Sequence, residues 1–258
     1  VVIKPNLVKE HKENDPREWE SVITSPELIK QVCLHVCQSM QGKGRISICD
    51  APQTDSSFKS IRERLNMVDF IEDCKKQYGI PIVKRHQIGG DVNGSVAFNL
   101  GIDSFFYGHP GEGRYYGADY ESSVVNEHHK GERQEYLLSG TAIKCDVFIN
   151  MPKLKTHKKT GVTLNLKNLV GINADKNWLP HHTVGSPENG GDQFPTLSVK
   201  KRLEQIAVKM ARKIALKLPY IGPRIAIKMR KAGTQVFGAT QKVIRSGNWH
   251  GNNTTWRM

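Results

Sequence analysis

Short apolar runs alternate with longer stretches of helical spacing through the first part of the chain. Val1-Val2-Ile3 is a β-branched run that stops at Lys4-Pro5-Asn6. Ser25-Pro26-Glu27 supplies an N-cap with proline at the first helical position. Leu28, Val32, Val36 and Met40 then recur at helical spacing until Gly42-Lys43-Gly44. Arg45 to Cys49 reads as a short strand ending at Asp50-Ala51-Pro52. A second helix is expected, with Ile61, Leu65, Val68 and Ile71 on one face, followed by a strand at Ile80-Pro81-Ile82-Val83. Strand, helix, strand, helix, strand at this spacing predicts a parallel sheet with right-handed crossovers.

Residues 86–135 break the rhythm. They are rich in Gly, Tyr, Asp and Asn, and predict an irregular or hairpin-rich insertion. The pattern resumes with a strand over Cys145 to Met151, which runs into Pro152-Lys153-Leu154-Lys155-Thr156-His157; Val162 to Val170 is expected to be a helix ending at Gly171. A loop rich in Gly and His, Pro180 to Pro195, precedes an amphipathic helix carrying Leu203, Ile206, Val208, Met210, Ile214 and Leu218. The expected fold is therefore α/β: a mostly parallel open sheet with flanking helices over 1–196, the insertion within it, and a basic helical segment over 197–258. Val1 opens inside a strand-like run and Asn253 to Met258 reads as a helix just starting, so the chain is expected to be a piece of a longer protein.

Charge separates the two parts. Residues 197–258 hold 14 of the 38 basic residues and a single acid, Glu204, so the whole net charge of +13 resides there and 1–196 is neutral. The segment 197–245 could track nucleic-acid phosphates, lie on an anionic surface or an acidic protein face, or simply be solvated. Tyr220 and Phe237 are the only aromatic residues between 197 and 248, which argues against base stacking on a single strand. No apolar run is long enough to span a membrane. The five cysteines follow no disulfide pattern, and reduced, cytoplasmic thiols are the default expectation. Cys33 and Cys37, four apart, could clip a metal but read more readily as small apolar residues facing a core.

In open parallel sheets, ligands bind beyond the carboxyl ends of the strands. Three expected strands end in polar residues there: Lys4 and Asn6 after the first, Asp50, Gln53 and Asp55 after the second, and Lys153, Lys155 and His157 after the third. Lysines converging with amide and imidazole groups suit an anionic small molecule, a phosphate or a carboxylate. Lys4, Lys153 and Lys155 would hold the anion and Asp50 or His157 would act as acid, base or ligand. Asn165, Lys167 and Asn168 would complete the pocket. In the loop, His181, His182 and Asp192 are of types that bind a divalent metal. A loop closing over substrate, or plain surface structure, are the other readings of that stretch. No dinucleotide fingerprint, Walker-type loop, nucleophile elbow or zincin helix is found. A closely spaced four-cysteine motif is also absent, so this stretch alone is not expected to ligate an iron–sulfur cluster.

Val2-Ile3-Lys4-Pro5-Asn6, Asp50-Ala51-Pro52, Ile149 to His157 and Leu164 to Gly171 together resemble the family catalogued as domain of unknown function 362, as does Ser246 to Asn252. The Pro-Lys-x-Lys-x-His and Asn-Leu-Lys-Asn blocks are the specific ones. The resemblance implies an α/β protein with a further segment rich in glycine and aspartate. Some members are joined to ferredoxin-like cluster domains, which implies redox or metal chemistry nearby.

Overall fold

A computed structural model of the chain describes residues 1–9, 20–53, 56–86, 94–116, 122–157, 160–193, 196, 198–199, 202–203, 206–207, 210 and 253–258. In chain order these form β1 (Val2–Pro5), α1 (Pro26–Met40), β2 (Ile46–Asp50), α2 (Phe58–Arg64), α3 (Met67–Tyr78), β3 (Ile82–His86) and β4 (Ser95–Asn99). They continue with β5 (Tyr115–Tyr116), α4 (Ser122–His128), β6 (His129–Lys130), β7 (Arg133–Ser139), α5 (Gly140–Ile143), β8 (Phe148–Met151) and β9 (Lys155–His157). The last are β10 (Gly161–Thr163), α6 (Asn165–Asn168), β11 (His182–Thr183) and α7 (Asn253–Arg257). The chain divides into two compact units, 1–101 with 133–157 and 162–179, and 102–132 with 158–161 and 180–258. The basic stretch 197–245 lies almost wholly outside the described residues.

The first unit is built on a four-stranded sheet in the order β3-β2-β1-β8, and every neighbouring pair is parallel. All residues of β1 and β2 are buried, as befits parallel strands covered on both faces. Ile3, Ile46, Ile48 and Met151 pack with Ile29, Cys33 and Cys37 of α1 and with Ile61, Ile71 and Cys74 of α2 and α3. The expected mixed α/β fold with a parallel sheet is present, but the sheet is small, and antiparallel pairings accompany it. β4 pairs antiparallel with β7, from Ser95 opposite Ser139 to Asn99 opposite Glu135.

Local details differ from the pattern reading in ways that packing explains. The buried face of α1 is Ile29, Cys33 and Cys37, one residue round from the expected stripe, and Leu28 is exposed. The expected second helix is two. Asn66 takes a left-handed conformation at φ 48°, so α3 starts afresh at Met67, which is buried while Val68 is exposed. The expected helix over 162–170 starts instead as β10, whose Val162 and Thr163 are β-branched, and α6 follows for a single turn. β7 carries no clear apolar alternation in the sequence because two of its inward residues are Gln134 and Tyr136.

The second unit has its own small core of Phe106, Tyr115 and Val125. β5 and β11 pair antiparallel in it, with Thr183 opposite Tyr115 and His182 opposite Tyr116. Among the described residues, no helix is long and apolar enough to cross a membrane.

Candidate functional site

The strand order creates a switch point. From β1 the chain winds outward through β2 to β3, and later places β8 on the other side of β1. A crevice is expected at the carboxyl ends of two strands whose connections leave in opposite directions. Lys4 of β1 lies in register with Asn150 of β8, and Pro5 with Met151, so the polar residues that follow both strands start from the same level.

Lys4 and Asp50 form the floor of this end. Lys4 is fully buried, and a buried ammonium is tolerated only when paired and hydrogen-bonded. Its Nζ lies 2.7 Å from Asp50 Oδ1 and donates to Pro5 O at 2.8 Å and to Asn168 Oδ1 at 3.0 Å. Three acceptors match the three N–H donors of an ammonium. Asp50 is equally occupied: Oδ2 accepts from Leu7 N at 2.5 Å and Oδ1 from Ala51 N at 2.8 Å. Asn168 Nδ2 donates to Lys4 O at 3.1 Å and to Asn150 Oδ1 at 2.7 Å, while Asn150 Nδ2 donates to Asn165 O at 3.0 Å. One short helix, α6, is thereby tied at both ends to β1 and β8. Asn6 is buried and shapes the turn after β1; its Oδ1 accepts from Val8 N at 3.2 Å, and its own N–H donates to Thr24 Oγ1 at 2.8 Å.

Gly171 closes the floor. A Cβ there would stand 2.0 Å from Asp50 Oδ1 and 2.7 Å from Lys4 Nζ, so only glycine fits over the ion pair. Its carbonyl accepts from Ala51 N at 3.1 Å. Lys176, also buried, donates to Ala51 O at 3.0 Å and to Pro52 O, fixing the chain where it leaves β2. Lys176, Asn150 and the close approach of Gly171 are the parts that sequence reasoning missed. A lysine between Ala174 and Trp178 carries no pattern that distinguishes it from a solvated one.

The rim is different. Lys155 and His157 alternate along β9 onto one face and are part-buried, with Thr156 between them exposed. Lys155 Nζ donates to Val22 O at 2.5 Å. Burial first, then the nearby charge of Lys167, bring its pKa down to about 8; Lys9 and Lys153 add to this, and Asp50 opposes it. Lys167 is part-buried, and burial holds its pKa down to about 8 as well. Among the described residues, no hydrogen-bond or ion-pair partner accompanies the Lys167 ammonium. Lys153 is part-buried on the link between β8 and β9. Asn165 contributes its carbonyl to Asn150, and its side chain is exposed.

In the second unit, the ring of His181 meets His182 edge-on at 4.7 Å, and His182 packs on Tyr116 at 5.1 Å. Asp192 turns inward: Oδ1 accepts from Thr183 N at 2.9 Å and Oδ2 from Thr254 N at 3.2 Å. His181, His182 and Asp192 thus shape the loop around β11, and among the described residues no group of three or more His, Cys, Asp or Glu is placed to hold a metal ion.

The family model described as Domain of unknown function (DUF362) matches residues 1–228. The chain belongs to the DUF362 family. The match covers the floor of Lys4, Asp50, Asn168 and Gly171 and the rim of Lys153, Lys155, His157 and Lys167, so the whole strand-end cluster lies within the DUF362 domain. No curated protein and no solved structure matches the chain.

Proposed function

We propose that this DUF362 domain is an enzyme or ligand-binding protein that takes an anionic small molecule, phosphorylated or carboxylated, at the carboxyl ends of β1, β2 and β8. The observation that carries this reading is the uncompensated positive charge of the rim. The charge of Lys167 helps hold Lys155 below the usual lysine range, burial holds Lys167 below it as well, and Asp50, an acid that acts on Lys155, is already committed to Lys4. Cations kept together at a cost to themselves are what a bound anion relieves. Lys153, Lys155 and Lys167 serve as the anion contacts. His157, on the same face of β9 as Lys155, serves in proton transfer in this reading. Lys4, Asp50 and Asn168 act as the rigid frame that positions α6 beneath them.

Thermal unfolding at low ionic strength, with inorganic phosphate and a panel of phosphorylated and carboxylated metabolites, tests this. At least one anion is expected to raise the Tm, with the gain falling as salt is added and lost in K153A and H157A. A gain that survives both substitutions unchanged places the anion elsewhere and overturns the reading.

A further inference from the structure

We propose that β4 is the pairing edge of a symmetric dimer, in which a second copy of the chain adds its own β4 antiparallel about a two-fold axis at Ala97. This inference is independent of the anion site. β4 lies at the edge of its sheet, with β7 on one side and no strand on the other among the described residues. Two flanking bonds fix which backbone groups face outward: Leu100 N donates to Gln134 O at 3.0 Å, and Gly140 N donates to Gly94 O at 2.8 Å. In an antiparallel ladder such bonds recur at every second residue. Gly94, Val96, Phe98 and Leu100 therefore direct their N–H and C=O groups to β7, and Ser95, Ala97 and Asn99 turn theirs to the open edge.

Three features of this edge fit a second copy of itself. The first is register. A two-fold axis through the Ala97 pair sets Ser95 opposite Asn99 of the second copy, so every outward N–H meets an outward C=O, and the contact is isologous. The second is the side chains. The same axis places Val96 opposite Phe98 in the closer, non-hydrogen-bonded pairs, a β-branched residue against an aromatic one. Phe98 and Leu100, on the face of β4 that carries Val96, are 39% and 48% exposed, so pairing there removes apolar surface from water. The third is charge. Edge strands that stay single are blunted by lysine, proline or a bulge. β4 has none of these: it pairs residue for residue from Ser95 opposite Ser139 to Asn99 opposite Glu135, and no charged residue lies between Asp91 and Asp103. Two copies thus meet without like-charge repulsion, whereas a charged peptide gains no ion pair on this strand. Five residues a side make a small interface, so the association is expected to be reversible.

Sedimentation velocity of the intact chain over about a hundredfold range of concentration tests this. The wild type is expected to shift from monomer to dimer as concentration rises. A97K and A97E, each checked for wild-type circular dichroism, put like charges on the axis and are expected to stay monomeric where the wild type is half dimer. Their equimolar mixture is expected to recover the dimer, since opposite charges then meet. Hydrogen exchange on the wild type decides the matter if the variants do not fold. The outward-facing Ala97 amide is expected to exchange about twofold more slowly when half the chain is dimer, with the Phe98 amide, directed to β7, unchanged. A wild type that stays monomeric, with an Ala97 amide indifferent to concentration, overturns the proposal and leaves the edge to a strand of a different protein. A dimer that survives both single charge substitutions, or a mixture that fails to recover it, overturns it as well.

Discussion

Two groups of lysines sit at the same sheet end of this molecule and treat charge in opposite ways. On the floor, Lys4 is buried with three acceptors for its three donors, one of them the carboxylate of Asp50. On the rim, Lys155 has a single backbone acceptor and Lys167 has none among the described residues, and both titrate near 8. The difference is one of acceptor supply, not of residue type. Where the fold supplies acceptors, a lysine is a structural bolt. Where it withholds them, the lysine is held below its usual pKa range.

Removing the floor's acceptor should have the largest effect. Asp50→Ala strands the Lys4 ammonium inside the core and leaves the Leu7 N–H without its acceptor, while Ala51 N keeps the Gly171 carbonyl. A loss of ~3–5 kcal/mol is expected from denaturant unfolding, as for other buried pairs broken from one side. That is a large part of the ~5–15 kcal/mol a domain has in total. K4M/D50A should recover part of it, because two apolar groups leave no orphaned charge. If D50A is nearly neutral, the floor is solvated and the distinction from the rim disappears.

Gly171→Ala tests the same floor by shape alone. The added methyl would overlap Asp50 Oδ1, so the ion pair or the loop must shift, at ~1–3 kcal/mol by the cost of overpacking. Parallel unfolding curves for G171A and wild type measure it. An unchanged midpoint would mean that the chain around Gly171 gives way freely.

How much of this was legible in the sequence follows the same line. The β1, α1 and β2 elements could be read because β-branched runs, a Ser-Pro start and a glycine stop are local signals. The strand-end positions of Lys4 and Asp50 could be read too, since strand periodicity and the break at Pro5 fix where the chain leaves the sheet, whereas Lys155 and His157 lie on β9, paired with β10 in a separate two-stranded sheet that the pattern does not announce. Which lysine is saturated and which is not could not. That depends on Asn168 and Gly171, more than 160 residues from Lys4 in the chain, arriving above it through a turn of helix expected to be longer. The same limit hid Lys176, whose partners are the carbonyls of Ala51 and Pro52. Long-range acceptors leave no local pattern.

The smallest expected effect is also the most discriminating, because it reads the rim directly through pH. Lys167 titrates near 8 in the folded protein against 10.5 for an ordinary lysine, so the folded state holds its proton less tightly than the unfolded one. Below pH 8 both states are protonated and the cost of the part-buried charge is fully present. Between 8 and 10.5 the unfolded chain binds more protons, so this group makes stability rise with pH until the cost is gone. The buried thiols of Cys33, Cys37 and Cys74 pull the other way. Burial raises their pKa values, that of Cys74 to about 11, and their contribution falls as pH climbs past 9. Comparing K167M with wild type cancels the thiols. K167M should be the more stable protein at pH 7, the more so because Lys155 loses its strongest neighbouring charge. That advantage should shrink to nothing between pH 8 and 10.5. A saturating anion at pH 7 should close or reverse the gap, since it supplies to the wild-type rim the acceptor that Asp50 supplies to the floor. A K167M gap that is absent, or constant across this range, would show a solvated lysine and leave floor and rim alike.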